Sequence, residues 1–167
     1  MKYLPLLFLS ACTVQAPFPH IAMFDSAAWT NDELETLVHS ADKWREAGAD
    51  IKIALSPSPG TKCTALWCPV YPADLSAEAV QLKKVSLCGL TDEHGIRIDR
   101  ACAERGTRGL HGLDCVATHE LGHVLGLGHS HAPKDVMAST VEVLLEGDCT
   151  LSQEDINNLH IAQENGL

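Results

Sequence analysis

Leu34, Leu37, Val38, Ala41 and Trp44 recur every three or four residues between polar positions, the pattern of one buried helical face. Thr30-Asn31-Asp32-Glu33 precedes them and has the form of a capping box, with Thr30 as N-cap and Glu33 reaching back. Gly48 closes the run, so a helix is predicted over about 30–47. Ile51, Ile53 and Leu55 then alternate with Lys52 and Ala54, the period of a half-buried strand. Upstream, residues 13–25 read as a proline-bearing tether leading into a short strand. Residues 56–74 hold Pro57, Pro59, Gly60, Pro69 and Pro72 and read as a loop. The stretch 79–87 suits either helix or strand. Val85-Ser86-Leu87 and Ile96-Arg97-Ile98 form the arms of a predicted hairpin across residues 91–95. Residues 104–112 are glycine-rich and polar. A second helix is predicted over about 113–125, with Asp114 as its cap or as an acceptor within the C-terminal part. A last short helix carries Ile156 and Leu159 behind a Ser152 cap.

These elements fit one domain of 167 residues. Hydrophobic residues are 46% and charged residues 20%, a globular balance rather than a disordered one. The net charge of −10 argues against nucleic acid as a partner and against attraction to anionic membrane surfaces. No apolar stretch approaches the ~20 residues that span a bilayer.

The first residues have the character of an address. Lys2 is followed by the mostly apolar run Leu4 to Leu9, then Ser10-Ala11-Cys12. This resembles a bacterial lipoprotein signal, which implies cleavage before Cys12 and a lipid on its sulfur; an ordinary signal peptide is the alternative. The expected organisation is a signal at 1–11, a tether at 12–19 and one domain at 20–167. Its N-terminal part would run to about 129 and its C-terminal part from about 130. The expected location is exported, held to a membrane by lipid alone. Lipidation of Cys12 would also settle the parity of the seven cysteines. Six remain: Cys63, Cys68, Cys88, Cys102, Cys115 and Cys149, enough for three disulfides. A zinc site made of cysteines is the rival, although no C-x-x-C pair occurs.

The chemistry is concentrated in His119-Glu120-Leu121-Gly122-His123-Val124-Leu125-Gly126-Leu127-Gly128-His129. On a helix, His119 and His123 lie about 40° apart around the axis and can reach one ion. Glu120 is rotated about 100° from His119 and can stand beside that ion without binding it. Gly126 can take a positive φ, leave the helix abruptly and bring His129 round as a third ligand. Three nitrogen ligands with a fourth position open to water are the arrangement of a catalytic zinc site.

This extended motif resembles the metzincin clan of zinc endopeptidases, and Ser130 after the third histidine resembles its matrixin branch. Asp135-Val136-Met137 falls where the clan has its Met-turn, with Met137 as the floor under the metal. Leu151-Ser152-Gln153-Glu154-Asp155-Ile156 resembles the start of the matrixin C-terminal helix. The resemblance implies an α+β fold: a small twisted mixed sheet with a backing helix, an active-site helix, and a small C-terminal part with a final helix. It implies one zinc ion on His119, His123 and His129. Zinc-bound water, activated by Glu120 as general base, would hydrolyse peptide bonds of a protein or peptide substrate. The strand near 96–99 is the expected edge for an extended substrate. A binding lipoprotein on the same frame, without turnover, is the alternative function. Monomer is the default, and calcium is not legible. Two departures stand out: Ala138-Ser139 replace the Tyr-Pro often found after the methionine, and residues 13–25 leave no room for a zinc-blocking cysteine segment.

The other candidates have plainer expectations. His131 reads as a surface residue, and His20, His39, His111 and His160 as solvated. Asp92 with His94 hints at a second metal in a turn that is polar in any case. Trp29, Trp44 and Trp67 read as core or loop anchors. Cys63 and Cys68 share one proline-rich loop and can pair locally. Cys88 and Cys102 bracket the hairpin. That leaves Cys115 for Cys149, a tie between the zinc helix and the C-terminal part.

Overall fold

The computed structural model describes residues 20–63, 67–82, 87–104, 109–132, 135–138 and 149–165. The signal, the tether and Cys12 lie outside the described residues. The elements in chain order are β1 (His20–Asp25), α1 (Asn31–Glu46), β2 (Ile51–Ser56), β3 (Trp67–Pro72) and α2 (Ser76–Gln81). Then come β4 (Gly89–Asp92), β5 (Gly95–Ile98), α3 (Arg100–Ala103), α4 (Leu110–Val124) and α5 (Gln153–Glu164).

The five strands form one sheet in the order β2-β1-β3-β5-β4. β2, β1, β3 and β5 run parallel, and β4 closes one edge antiparallel to β5. α1 packs along α4. Phe24, Leu37, Trp44, Ile96, Ile98, Leu113, Leu121, Met137 and Leu159 are buried in one continuous core. The expected α+β architecture, with a mixed sheet, a backing helix and a final helix, is the observed one.

Local signals set several boundaries. Thr30 and Glu33 form both bonds of the capping box: Glu33 N donates to Thr30 Oγ1 at 3.3 Å and Thr30 N to Glu33 Oε2 at 2.7 Å. Leu37, Ala41 and Trp44 of the expected stripe are buried, and Leu34 and Val38 pack at its margin. Trp44 Nε1 donates to Thr118 O at 2.8 Å, fixing α1 against α4. Gly48 has φ 100° and ends the helix segment.

Four expectations are corrected. The stretch 56–74 is not all loop, because it contains β3. Pro69 is tolerated since its carbonyl faces Gly95, just beyond the β3–β5 register that begins at Val70↔Ile96. The missing N–H lies on that same side and costs no ladder bond. The hairpin arms are β4 and β5, Gly89↔Ile98 to Asp92↔Gly95, so the first arm is 89–92 rather than 85–87. Asp92 Oδ1 accepts from His94 N at 2.8 Å within the turn; Val85 and Ser86 lie outside the described residues. β5 is an inner strand, so the sheet edge beside the site is β4 and not residues 96–99. Finally, α4 begins at Leu110 behind Gly109 (φ 48°), three residues before the predicted start, and Asp114 lies inside it.

Candidate metal centre

α4 places His119 and His123 one turn apart, with their Nε2 atoms 3.1 Å from each other. The helix then breaks at Gly126 (φ 87°), where Gly126 N donates to His123 O and Leu127 N to Gly122 O. The turn carries His129 back, its ring centroid 5.2 Å from that of His119 and 4.8 Å from that of His123. One ligand atom from each of the three rings lies within 4.8 Å of the others.

The donor set fits a zinc ion. His119 Nδ1 lies 2.8 Å from Val136 O, and His123 Nδ1 lies 2.8 Å from Leu127 O. A carbonyl only accepts, so each Nδ1 carries the proton and each Nε2 presents a lone pair. Two lone pairs facing at 3.1 Å repel unless a cation lies between them. Nitrogen ligands ~2.0–2.1 Å from zinc would stand at about that separation. His119 is buried and His129 exposed, so the centre has a sealed side and an open one.

The segments after His129 brace it. Ser130 N donates to Met137 O at 2.8 Å, Ser130 bridges Ala138, and Ser130 Oγ donates to Asp135 Oδ2 at 2.5 Å. Met137 is buried against Gly122, where an added Cβ would lie 2.4 Å from Met137 Sδ. Asp155, fully buried at the start of α5, accepts from Ser152 N at 2.9 Å and Val136 N at 3.2 Å.

Glu120 is buried beside the edge strand. Thr91 Oγ1 lies 2.7 Å from Glu120 Oε2 and 3.1 Å from Glu120 O. Thr91 and Gly89 have no local sequence signal, because what matters about them is a contact with a helix far along the chain. Asp155 and Gly122 could have been found: one is the N3 partner of a capping box, the other a glycine inside a helix.

The remaining candidates fall as follows. The cysteines pair as Cys63–Cys68, Cys88–Cys102 and Cys115–Cys149, with Cα separations of 4.2, 5.0 and 5.0 Å. His111 is not simply solvated: it is half-buried, and its Nε2 lies 3.8 Å from both Cys115 Sγ and Cys149 Sγ. Asp114 is not a cap; it accepts from Ser40 Oγ at 2.8 Å and Lys43 Nζ at 2.6 Å, tying α1 to α4. Asp92 is committed to Arg97 at 2.7 Å and does not join His94 in a second metal cluster among the described residues. His39, His131 and His160 are exposed, and His20 is half-buried, its imidazole held below its usual range by burial, with Asp50 opposing. Trp29 and Trp44 are buried, whereas Trp67 is largely exposed at the start of β3.

The matrixin family profile matches residues 22–162, most of the chain. The protein belongs to the matrixins. This matrixin has the metzincin-like fold that its sequence motif implied. It is similar to matrilysin of Rattus norvegicus, 54% identical over 41 residues, which are 25% of this chain and 15% of the relative. It is also similar to macrophage metalloelastase of Rattus norvegicus, 44% identical over 59 residues, 34% of this chain and 13% of that one. The matched stretches therefore span less than a sixth of either relative. In fold, the matrixin resembles archaemetzincin from Methanopyrus kandleri, with a TM-score of 0.56 at 12% identity over 90% of this chain and 98% of that chain. It also resembles a zinc-dependent peptidase from Methanocorpusculum labreanum, with a TM-score of 0.54 at 10% identity over 84% and 99%.

Proposed function

We propose that this matrixin is an endopeptidase that hydrolyses internal peptide bonds of extended polypeptides, with one zinc ion on His119, His123 and His129. The observation that carries the reading is the buried Glu120 carboxylate, set between the histidine helix and the open sheet edge β4. Bound zinc would supply Lewis acidity, polarising a carbonyl and acidifying water. Glu120 takes a proton from the attacking water as its oxygen adds to the peptide carbonyl. It returns that proton to the nitrogen as the C–N bond breaks. Among the described residues no strand pairs with the outer side of β4, and an extended substrate can add there as a further strand. Leu127 O and Val136 O keep the proton on the Nδ1 side of His123 and His119 throughout.

The test is digestion of an unstructured protein such as casein, with mass spectrometry of the products. Wild type should give internal cuts, and chelation should abolish them. Glu120→Ala should retain zinc yet lose about 10²–10⁴ in rate. A variant that cleaves as fast as wild type would refute the assignment of the base. Zinc binding without any hydrolysis by wild type would favour the binding-only alternative.

Residues 9–12, Leu-Ser-Ala-Cys, support a second part of the proposal: export, cleavage before Cys12 and lipid attachment to its sulfur. Metabolic labelling with a radiolabelled fatty acid should mark wild type and not Cys12→Ser; label retained in the variant would overturn lipidation at this residue.

A further inference from the structure

Successive residues of a strand face opposite sides of the sheet. On β4, Leu90 packs with the cluster of Leu75, Ala79 and Leu87. Gly89 and Thr91 therefore share the other side, the one toward α4, and both meet Glu120. A Cβ at position 89 would lie 2.3 Å from Glu120 Oε1 and 2.6 Å from its Cγ, so only a hydrogen leaves room for this side chain. Two residues on, the Thr91 hydroxyl reaches Glu120 Oε2 at 2.7 Å. One carboxylate oxygen sits in the gap at Gly89 and the other accepts from Thr91.

We infer that Gly89 and Thr91 form a cradle that aims the Glu120 carboxylate, with Gly89 providing the space and Thr91 acting as the positioning residue. A glutamate has several rotatable bonds, and α4 fixes only its Cα. The edge strand selects one of the available arrangements. This inference rests on the proposed role of Glu120 for its effect on rate, but not for its geometry. Its consequence is that the strand offered to substrate is also the strand that aligns the base. A polypeptide added along β4 presses on the element that holds Glu120.

Thr91→Val keeps the branched shape suited to a strand and removes the hydroxyl, while Thr91→Ser keeps the hydroxyl. Crystal structures of both variants, with melting temperature and zinc content, are to be read beside kcat and KM on a peptide that wild type cleaves. The Glu120 carboxylate should leave its place in Thr91→Val and keep it in Thr91→Ser. In Thr91→Val, kcat should fall about 10- to 100-fold with KM nearly unchanged, the range for a lost hydrogen bond to a charged group. Thr91→Ser should recover most of the rate. An unmoved carboxylate in Thr91→Val, or a rate loss that serine does not rescue, overturns the cradle. If wild type hydrolyses nothing, the proposed function fails, and the position of Glu120 in the crystals still decides the cradle.

Discussion

Asp155 holds His119 at one remove. Its Oδ2 accepts the Val136 amide at 3.2 Å, and the Val136 carbonyl accepts the His119 Nδ1 proton at 2.8 Å. A carboxylate at the start of α5 therefore orients a candidate ligand in the middle of α4. Asp155→Ala should weaken zinc binding about 10- to 100-fold, the usual effect of losing a partner behind a ligand. Competition with a chromophoric chelator measures this, and equal affinity in the two proteins would show that Val136 stays in place without Asp155.

Gly122→Ala sets two effects against each other. Alanine favours a helix by about 1 kcal/mol over glycine. The added methyl, however, would meet Met137 Sδ at 2.4 Å and Trp44 Cζ2 at 2.9 Å. Trp44 is anchored by its bond to Thr118, so it has little freedom to retreat. Overpacking of this kind costs ~1–3 kcal/mol, so a net loss of about 1 kcal/mol is expected in urea unfolding. A stabilised variant would mean that Met137 moves aside freely.

The disulfides should differ in strength according to the loops they close. Cys115–Cys149 spans a separation of 34 residues and Cys63–Cys68 only 5. Chain entropy assigns about 4 kcal/mol to the first and about 2 kcal/mol to the second. Denaturant midpoints of the two double-alanine variants should fall in that order, and a larger loss for the short loop would contradict the entropic account.

Glu33 should shape the acid limit of stability. Burial raises its carboxyl, but the bonds with Thr30 and the Arg100 guanidinium outweigh this and leave it below the ordinary range. The folded state therefore binds its proton less readily than the unfolded chain. The resulting stability is present above the unfolded value of about 4.3 and is lost as pH falls through the lower folded value. Glu104 opposes part of this, since burial and the charge of Glu33 raise its carboxyl. Glu33→Gln should cost roughly 1–2 kcal/mol at neutral pH and flatten the acid side of a melting-temperature profile. An unchanged acid limb would move the effect to another carboxylate.

The parts of the fold that were legible in the sequence are those with local causes. Thr30 and Glu33 announce α1, Ser152 announces α5, and the histidine spacing with Gly126 announces a shared ligand centre. β3 was hidden because Pro69 reads as a breaker until the sheet register shows that its missing N–H is not needed. The first arm of the hairpin lies at 89–92 and not 85–87, because its place is set by pairing with β5 and by the fit of Gly89 against Glu120. Asp114 has the form of a cap, but its partners are Ser40 and Lys43 on another helix. In each case the deciding neighbour is distant in sequence, where no periodicity reaches.

The six cysteines from Cys63 onward pair two by two in chain order, so none of the three covalent loops crosses or encloses another. A chain entering an oxidising compartment N-terminus first would expose the partners of each bridge before the cysteines of the following one. Among these six, every thiol would then meet its native partner ahead of the other four. Oxidation in order of arrival gives the native connectivity, with no need for an isomerase to undo wrong pairs.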